Sequence, residues 1–174
     1  SMVMHMPGIP VAAPLTPKEW VGAWEHFMSH DDPMYCSESR QSLGIDYEIE
    51  DQIEEDPDVT IFAISISRLR AREAIIKLRE QGIKCSLANV VWLKPFAPSG
   101  KAVSSLSKSK FGVVLDGDHT ICGASESLAL DLMHRTGKKV YARGLEDRTA
   151  GFADHCDNKT PSEKQIVEFI QLLN

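Results

Sequence analysis

Two carboxylates and a hydroxyl stand at alternate positions in the run Leu115-Asp116-Gly117-Asp118-His119-Thr120. The carboxylates are Asp116 and Asp118 and the hydroxyl is Thr120, in a polar stretch where a strand ends. That set has a definite chemistry: one carboxylate attacks phosphorus, the other moves a proton, and both hold a magnesium ion, which makes phosphoryl transfer the reaction to consider. Asp116, Asp118 and His119, at a strand end, are the first choice for any site. Cys122 precedes a predicted helix, whose positive end favours a thiolate. No arginine follows at the spacing of a cysteine-based phosphate loop, because position 128 is Leu128, and a small residue packed under the helix is the plainer reading of Cys122. A second polar stretch, Leu145 to Asn158, carries acids with His155 and Cys156, at a spacing too irregular for a metal site.

The elements that must hold these groups alternate along the chain. Val59 to Ser65 is a continuous apolar, β-branched run, as expected of a parallel strand covered on both faces. Leu69, Ala74, Ile75 and Leu78 then recur near helical spacing up to Gly82, a C-terminal cap. The same reading places a strand at Cys85 to Val91, a short helix after Pro98, a strand at Phe111 to Leu115, a helix from Ala124 to Arg135 and a strand at Lys139 to Arg143. A last helix runs from Pro161 to Leu173, capped by Thr160 and Glu163. Such alternation implies right-handed crossovers and an α/β fold, a three-layer α/β/α arrangement around a mostly parallel sheet of about five strands. The strand ends of such sheets are where ligands sit, which again singles out Asp116 and Asp118.

Residues 1–37 read differently. A short strand at Val11 to Pro14 leads to a helix opened by Thr16, Pro17 and Glu19, with Trp20, Val21, Trp24, Phe27 and Met28 on one face, then to a strand at Met34 to Ser37. Two strands and one helix do not make a stable layer alone, so this unit is expected to lean on the rest of the chain or on another polypeptide. Between it and the main domain, Asp46 to Asp58 holds eight acids and no base; since the net charge is −6, everything else sums to +2. The acidity is therefore local. It reads as a solvated edge strand balanced by Arg68, Arg70, Arg72 and Arg79.

With 43% hydrophobic and 25% charged residues, neither a disordered nor a fibrous chain is indicated. No basic stripe with interleaved aromatics points to nucleic acid, and no apolar run is long enough to span a membrane. Four scattered cysteines without a CxxC pair argue against a zinc knuckle and a disulfide scaffold, and fit reduced thiols in the cytoplasm.

His5 to Trp20, followed by Asp31 to Ser39, resembles the end of the pyrimidine-binding domain of thiamine diphosphate enzymes, in the form seen in the beta subunit of the 2-oxo-acid dehydrogenases. Val59 to Ser65, Gly82 to Phe96, Phe111 to Ser127 and the closing helix resemble, in that order, the transketolase C-terminal domain family. Ala97 and Asp116 depart from it, where an aspartate and a glutamate are usual. The resemblance implies a remnant of a preceding pyrimidine-binding domain at 1–37, an acidic linker or edge strand at 38–57 and a transketolase C-terminal-like domain at 58–174. It further implies a domain that serves subunit assembly and is not catalytic alone, with no cofactor of its own. Thiamine diphosphate and magnesium would belong to the parent enzyme, a transferase or oxidoreductase. The partners implied are a second copy, as a homodimer, and the cofactor-binding domain or alpha-type subunit. Glu146, Asp147, Arg148, Phe152 and His155 would lie near the subunit interface. The alternative reading is a magnesium-dependent phosphatase of the haloacid-dehalogenase kind, using Asp116, Asp118 and Thr120. Only 54 residues follow Thr120, too few for the further strands, lysine and acidic pair that such an enzyme needs.

Overall fold

The computed structural model describes residues 2–153 and 156–174. Four parallel strands form the main sheet: β3 (Val59–Ile64), β4 (Cys85–Val90), β6 (Phe111–His119) and β7 (Val140–Leu145), in the order β4-β3-β6-β7. Helices fill the crossovers: α2 (Ser67–Glu80), α3 (Gly100–Lys108), α4 (Ala124–Thr136) and, closing the chain, α5 (Glu163–Leu173). Side chains alternate across the sheet, so each strand feeds two cores. Ile61, Ala63, Val113 and Leu115 pack against Ala74, Ile75, Leu78, Ile166 and Ile170 of α2 and α5. Phe62, Ile64 and Val114 pack on the other side against Leu106, Leu128 and Leu132 of α3 and α4. The three-layer α/β/α expectation holds, with four strands in the main sheet.

The missing neighbour went elsewhere. After β4 the chain turns into β5 (Trp92–Lys94), which pairs antiparallel with β1 (Val11–Ala12); β1 in turn pairs parallel with β2 (Tyr35–Cys36). This small mixed sheet ties the N-terminal unit to the main domain. A second tie runs through charge. Arg68, fully buried at the start of α2, donates from one Nη to Glu19 Oε1 at 2.5 Å and from the other to the carbonyl of Val90 at 3.1 Å. Glu19 lies on α1 (Pro17–Met28), and its Oε2 accepts the N–H groups of Leu15 and Thr16, completing the helix start read from the sequence.

Three expectations change. Of the apolar face assigned to α1, Val21, Trp24, Phe27 and Met28 are exposed, and Ala23 is the residue this helix buries, because strands of two residues each offer it little to cover. In the acidic segment, Gln52 makes a bridge to Leu87 on the outer edge of β4, and Ile49 is buried; the segment does lie along a sheet edge, but of the four arginines only Arg79 is seen to pair with it, through Glu54 at 2.6 Å. Arg68 is committed to Glu19, and Arg70 to Glu73 on its own helix. Finally, α5 begins two residues later than expected. Ser162 caps it, accepting the Gln165 N–H at 3.3 Å while Gln165 Oε1 accepts the Ser162 N–H at 2.9 Å, the same reciprocal device as Thr160 with Glu163 would have made.

Candidate functional site

The crossovers from β3 diverge: α2 leads to β4 on one side, whereas the following strand in the chain, β6, lies on the other. Connections that part in this way leave a gap at the carboxyl ends of the strands. A cleft of about 470 Å³ lies there, lined by Ile64 to Ile66 at the end of β3, by Asp116 to Asp118 on β6, and by Thr160. Its opposite wall comes from the N-terminal unit, including Met4, Val11 and Tyr35, and from Glu38 just after it.

Local bonding holds the mouth open. Ser67 Oγ donates to the carbonyls of Ile64 at 2.6 Å and Leu115 at 3.0 Å, joining the ends of β3 and β6. Ser65 takes a left-handed backbone, φ 47°, to make the turn into α2. On the far side, Thr120 Oγ1 accepts the Gly144 N–H at 2.8 Å, and Gly144 passes so near the β6 end that an added Cβ would lie 2.3 Å from the carbonyl oxygen of Asp118. Gly144→Ala is therefore expected to lose about 1–3 kcal/mol in a denaturant titration. Gly100→Ala, which meets open space at the start of α3, should stay within about 0.5 kcal/mol of wild type or gain slightly.

Asp116 is the most unusual group of the cleft. It is 6% exposed, and its Oδ1 accepts the Asp118 N–H at 3.2 Å. Burial, with the negative charge of Asp118 adding to it, pushes the Asp116 carboxyl up to about 6. Asp118, two residues on, shares the cleft; its Oδ1 accepts the His119 N–H at 2.8 Å. His119 does not join them. It is exposed and its Nδ1 lies 3.2 Å from the carbonyl of Glu146.

Cys122 is exposed and is not packed beneath α4: a left-handed backbone, φ 56°, turns it out, and its N–H donates to Glu126 at 3.0 Å. In the following loop Arg148 binds Glu146 at 2.9 Å and donates to the carbonyls of Cys156 and Asp157, while Asn158 donates to those of Glu146 and Arg148. Asp147 is exposed and Phe152 stands fully in solvent. His155 lies outside the described residues. What the sequence did not show is the far wall of the cleft, since Met4, Tyr35 and Glu38 reach Asp116 only through the pairing of β1 with β5.

Among the described residues no three or more His, Cys, Asp or Glu side chains converge as a cation site, and no Lys, Arg or His lines the cleft. A metal-assisted phosphatase needs the first and a bound diphosphate group needs cationic or metal contacts, so the residues present fit neither phosphoryl transfer nor thiamine diphosphate. Residues 50–151 match the family described as "Transketolase, C-terminal domain". The chain belongs to that family. It is 26% identical over 162 residues to 1-deoxy-D-xylulose-5-phosphate synthase 1 of Geobacter sulfurreducens, a match covering 85% of this chain and 25% of the relative. The chain thus spans about a quarter of that relative's length.

Solved structures carry the same fold. A split gene transketolase, described as an inactive beta4 tetramer, superposes with a TM-score of 0.74 at 20% identity, over 97% of this chain and 58% of that one. Transketolase from Campylobacter jejuni superposes with a TM-score of 0.68 at 16% identity, over 98% of this chain and 27% of that one. No described helix of this transketolase C-terminal domain is long and apolar enough to cross a membrane.

Proposed function

We propose that this transketolase C-terminal domain serves assembly in a thiamine diphosphate-dependent enzyme of the transketolase or 2-oxo-acid dehydrogenase kind and is not catalytic alone. The observation that carries this reading is the distribution of exposed apolar side chains. Val21, Trp24, Phe27 and Met28 all stand on α1, next to β2, the outer strand of the small sheet. Contiguous apolar surface of this kind marks a protein contact. On this reading residues 1–37 close a pyrimidine-binding domain, residues 38–57 link, and the domain proper is 58–174. The family match over 50–151 supports that division by falling almost wholly on the last part. Thiamine diphosphate and magnesium belong to the partner, a cofactor-binding domain or alpha-type subunit. Four free cysteines accord with a cytoplasmic setting.

The same reading makes the chain a homodimer through the loop that carries Glu146, Asp147, Arg148 and Phe152. Phe152 is the anchor, because it is fully exposed on a loop whose backbone is held by its own hydrogen bonds. Light scattering on the purified chain should give the mass of two copies, and Phe152→Ser should shift it to one. A wild-type chain of single mass would remove the dimer, and an unchanged variant would remove this loop from it.

A further inference from the structure

We propose that a small phosphate-type oxyanion binds beyond the carboxyl end of β7, held by Arg143 in a pocket between the loop after that strand and the start of α5. The pocket has a volume of about 160 Å³ and shares no lining residue with the cleft at the β3–β6 strand ends. Arg143, Arg148 and Lys159 line it beside Glu146 and Asp157. Both acids are already matched: Glu146 pairs with Arg148 at 2.9 Å, and Asp157 with Lys159 at 3.5 Å. Among the described residues of the lining one positive charge is left over, and it belongs to Arg143. A concave site with surplus positive charge concentrates anions.

Arg143 is held in place by packing and left without a counter-charge. Tyr141 and Arg143 stand two apart on β7 and share a face, where both meet the Phe169 ring of α5. Tyr141 meets it edge-on with ring centres 6.3 Å apart, and the Arg143 guanidinium lies 5.7 Å from the ring centre. The Arg143 Nε is buried without a hydrogen-bond partner, and no described salt bridge includes the residue. A guanidinium with one edge buried and no anion beside it is a costly arrangement. An oxyanion accepting from its Nη groups supplies the missing charge through charge-assisted hydrogen bonds. Gln165, on the α5 side of the pocket, adds a neutral donor. Its Oε1 accepts the Ser162 N–H at 2.9 Å, which fixes the amide and leaves Nε2 without a described partner. A volume of about 160 Å³ is small for a ligand site and limits the occupant to about one phosphate group.

Calorimetric titration of the purified chain with inorganic phosphate, and with acetate for comparison, tests this at pH 7.5 and about 0.1 M ionic strength, where remote charges are screened. Phosphate should bind with a Kd of about 1 mM or tighter, and acetate about tenfold or more weakly than phosphate. Arg143→Gln should weaken phosphate binding about tenfold or more. Lys139→Gln removes the same charge just before β7 but outside the pocket, and should leave the affinity within about twofold. If Arg143→Gln failed to fold, Gln165→Glu would decide the matter. Glutamate serves the helix start as glutamine does, yet sets a carboxylate where the donor stood, so phosphate binding should again fall about tenfold or more. Phe152→Ser should keep phosphate binding whether its mass is that of one copy or two, which separates this site from the dimer reading. No binding of phosphate, acetate bound as tightly, or equal losses from Arg143→Gln and Lys139→Gln would each overturn the proposal. So would an unchanged affinity in Arg143→Gln or Gln165→Glu, or loss of binding in Phe152→Ser.

Discussion

Replacing Glu19 by alanine is expected to cost about 3–5 kcal/mol of folding stability, the loss that follows when one partner of a buried ion pair is removed. Arg68 is fully buried and its Nε already has no hydrogen-bond partner, so without Glu19 the guanidinium would keep only the Val90 carbonyl. The same carboxylate also holds the N–H groups of Leu15 at 2.8 Å and Thr16 at 3.2 Å, so the start of α1 would fray as well. Urea titration with intrinsic tryptophan fluorescence would measure it, because Trp20 and Trp24 lie on α1 and would also report whether that helix leaves first. Combining Arg68→Met with Glu19→Gln should recover most of the loss, since neither side chain is then charged. A loss below about 1 kcal/mol for Glu19→Ala would mean that the N-terminal unit is held by strand pairing alone.

Asp116→Asn is expected to act in the opposite direction and to stabilise the protein at neutral pH. The folded carboxyl titrates at about 6, against about 3.9 in an unfolded chain. A raised carboxyl binds its proton more tightly when folded, so stability is greatest below the unfolded value. It declines as pH rises from about 4 to 6 and is level above that. Two units correspond to about 3 kcal/mol, which sets the scale of the gain for asparagine at pH 7.5. Asparagine can still accept the Asp118 N–H, so the local bond survives. Near pH 4 variant and wild type should unfold together. Equal midpoints at pH 7.5, or a difference that grows as pH falls, would show that Asp116 is not held in a charge-poor setting.

The main sheet was legible in the sequence because its strands lie between helix signals, and those signals are local. Val59 to Ile64 and Phe111 to Leu115 needed no partner to be recognised. Legibility ended where pairing became long-range. Trp92 to Lys94 reads as a continuation of the preceding strand, and nothing near it shows that it will leave to meet Val11 and Ala12 some eighty residues earlier. Arg68 is similar: its neighbours in sequence suggest the acidic run, whereas its partner stands 49 positions upstream on α1.

At the site, Asp116 and Asp118 could be chosen from their place at the carboxyl end of a strand, and the structure places both in the cleft. Two features were beyond reach. One wall of the cleft comes from Met4, Tyr35 and Glu38, far from Asp116 in sequence, and the exposure of the α1 face depends on how little sheet β1 and β2 provide.

Assembly without independent catalysis is tested most directly by reconstitution. The purified chain would be mixed with a polypeptide that carries the diphosphate-binding and pyrimidine-binding domains of a thiamine diphosphate enzyme from the same source. Complex mass and thiamine diphosphate-dependent turnover of a 2-oxo substrate would be followed together. Turnover should be absent from this chain alone, should depend on the complex, and should be lost along with it when Trp24 and Met28 are changed to serine. Stable association of the double variant, or turnover by this chain without the partner, would rule the assembly role out.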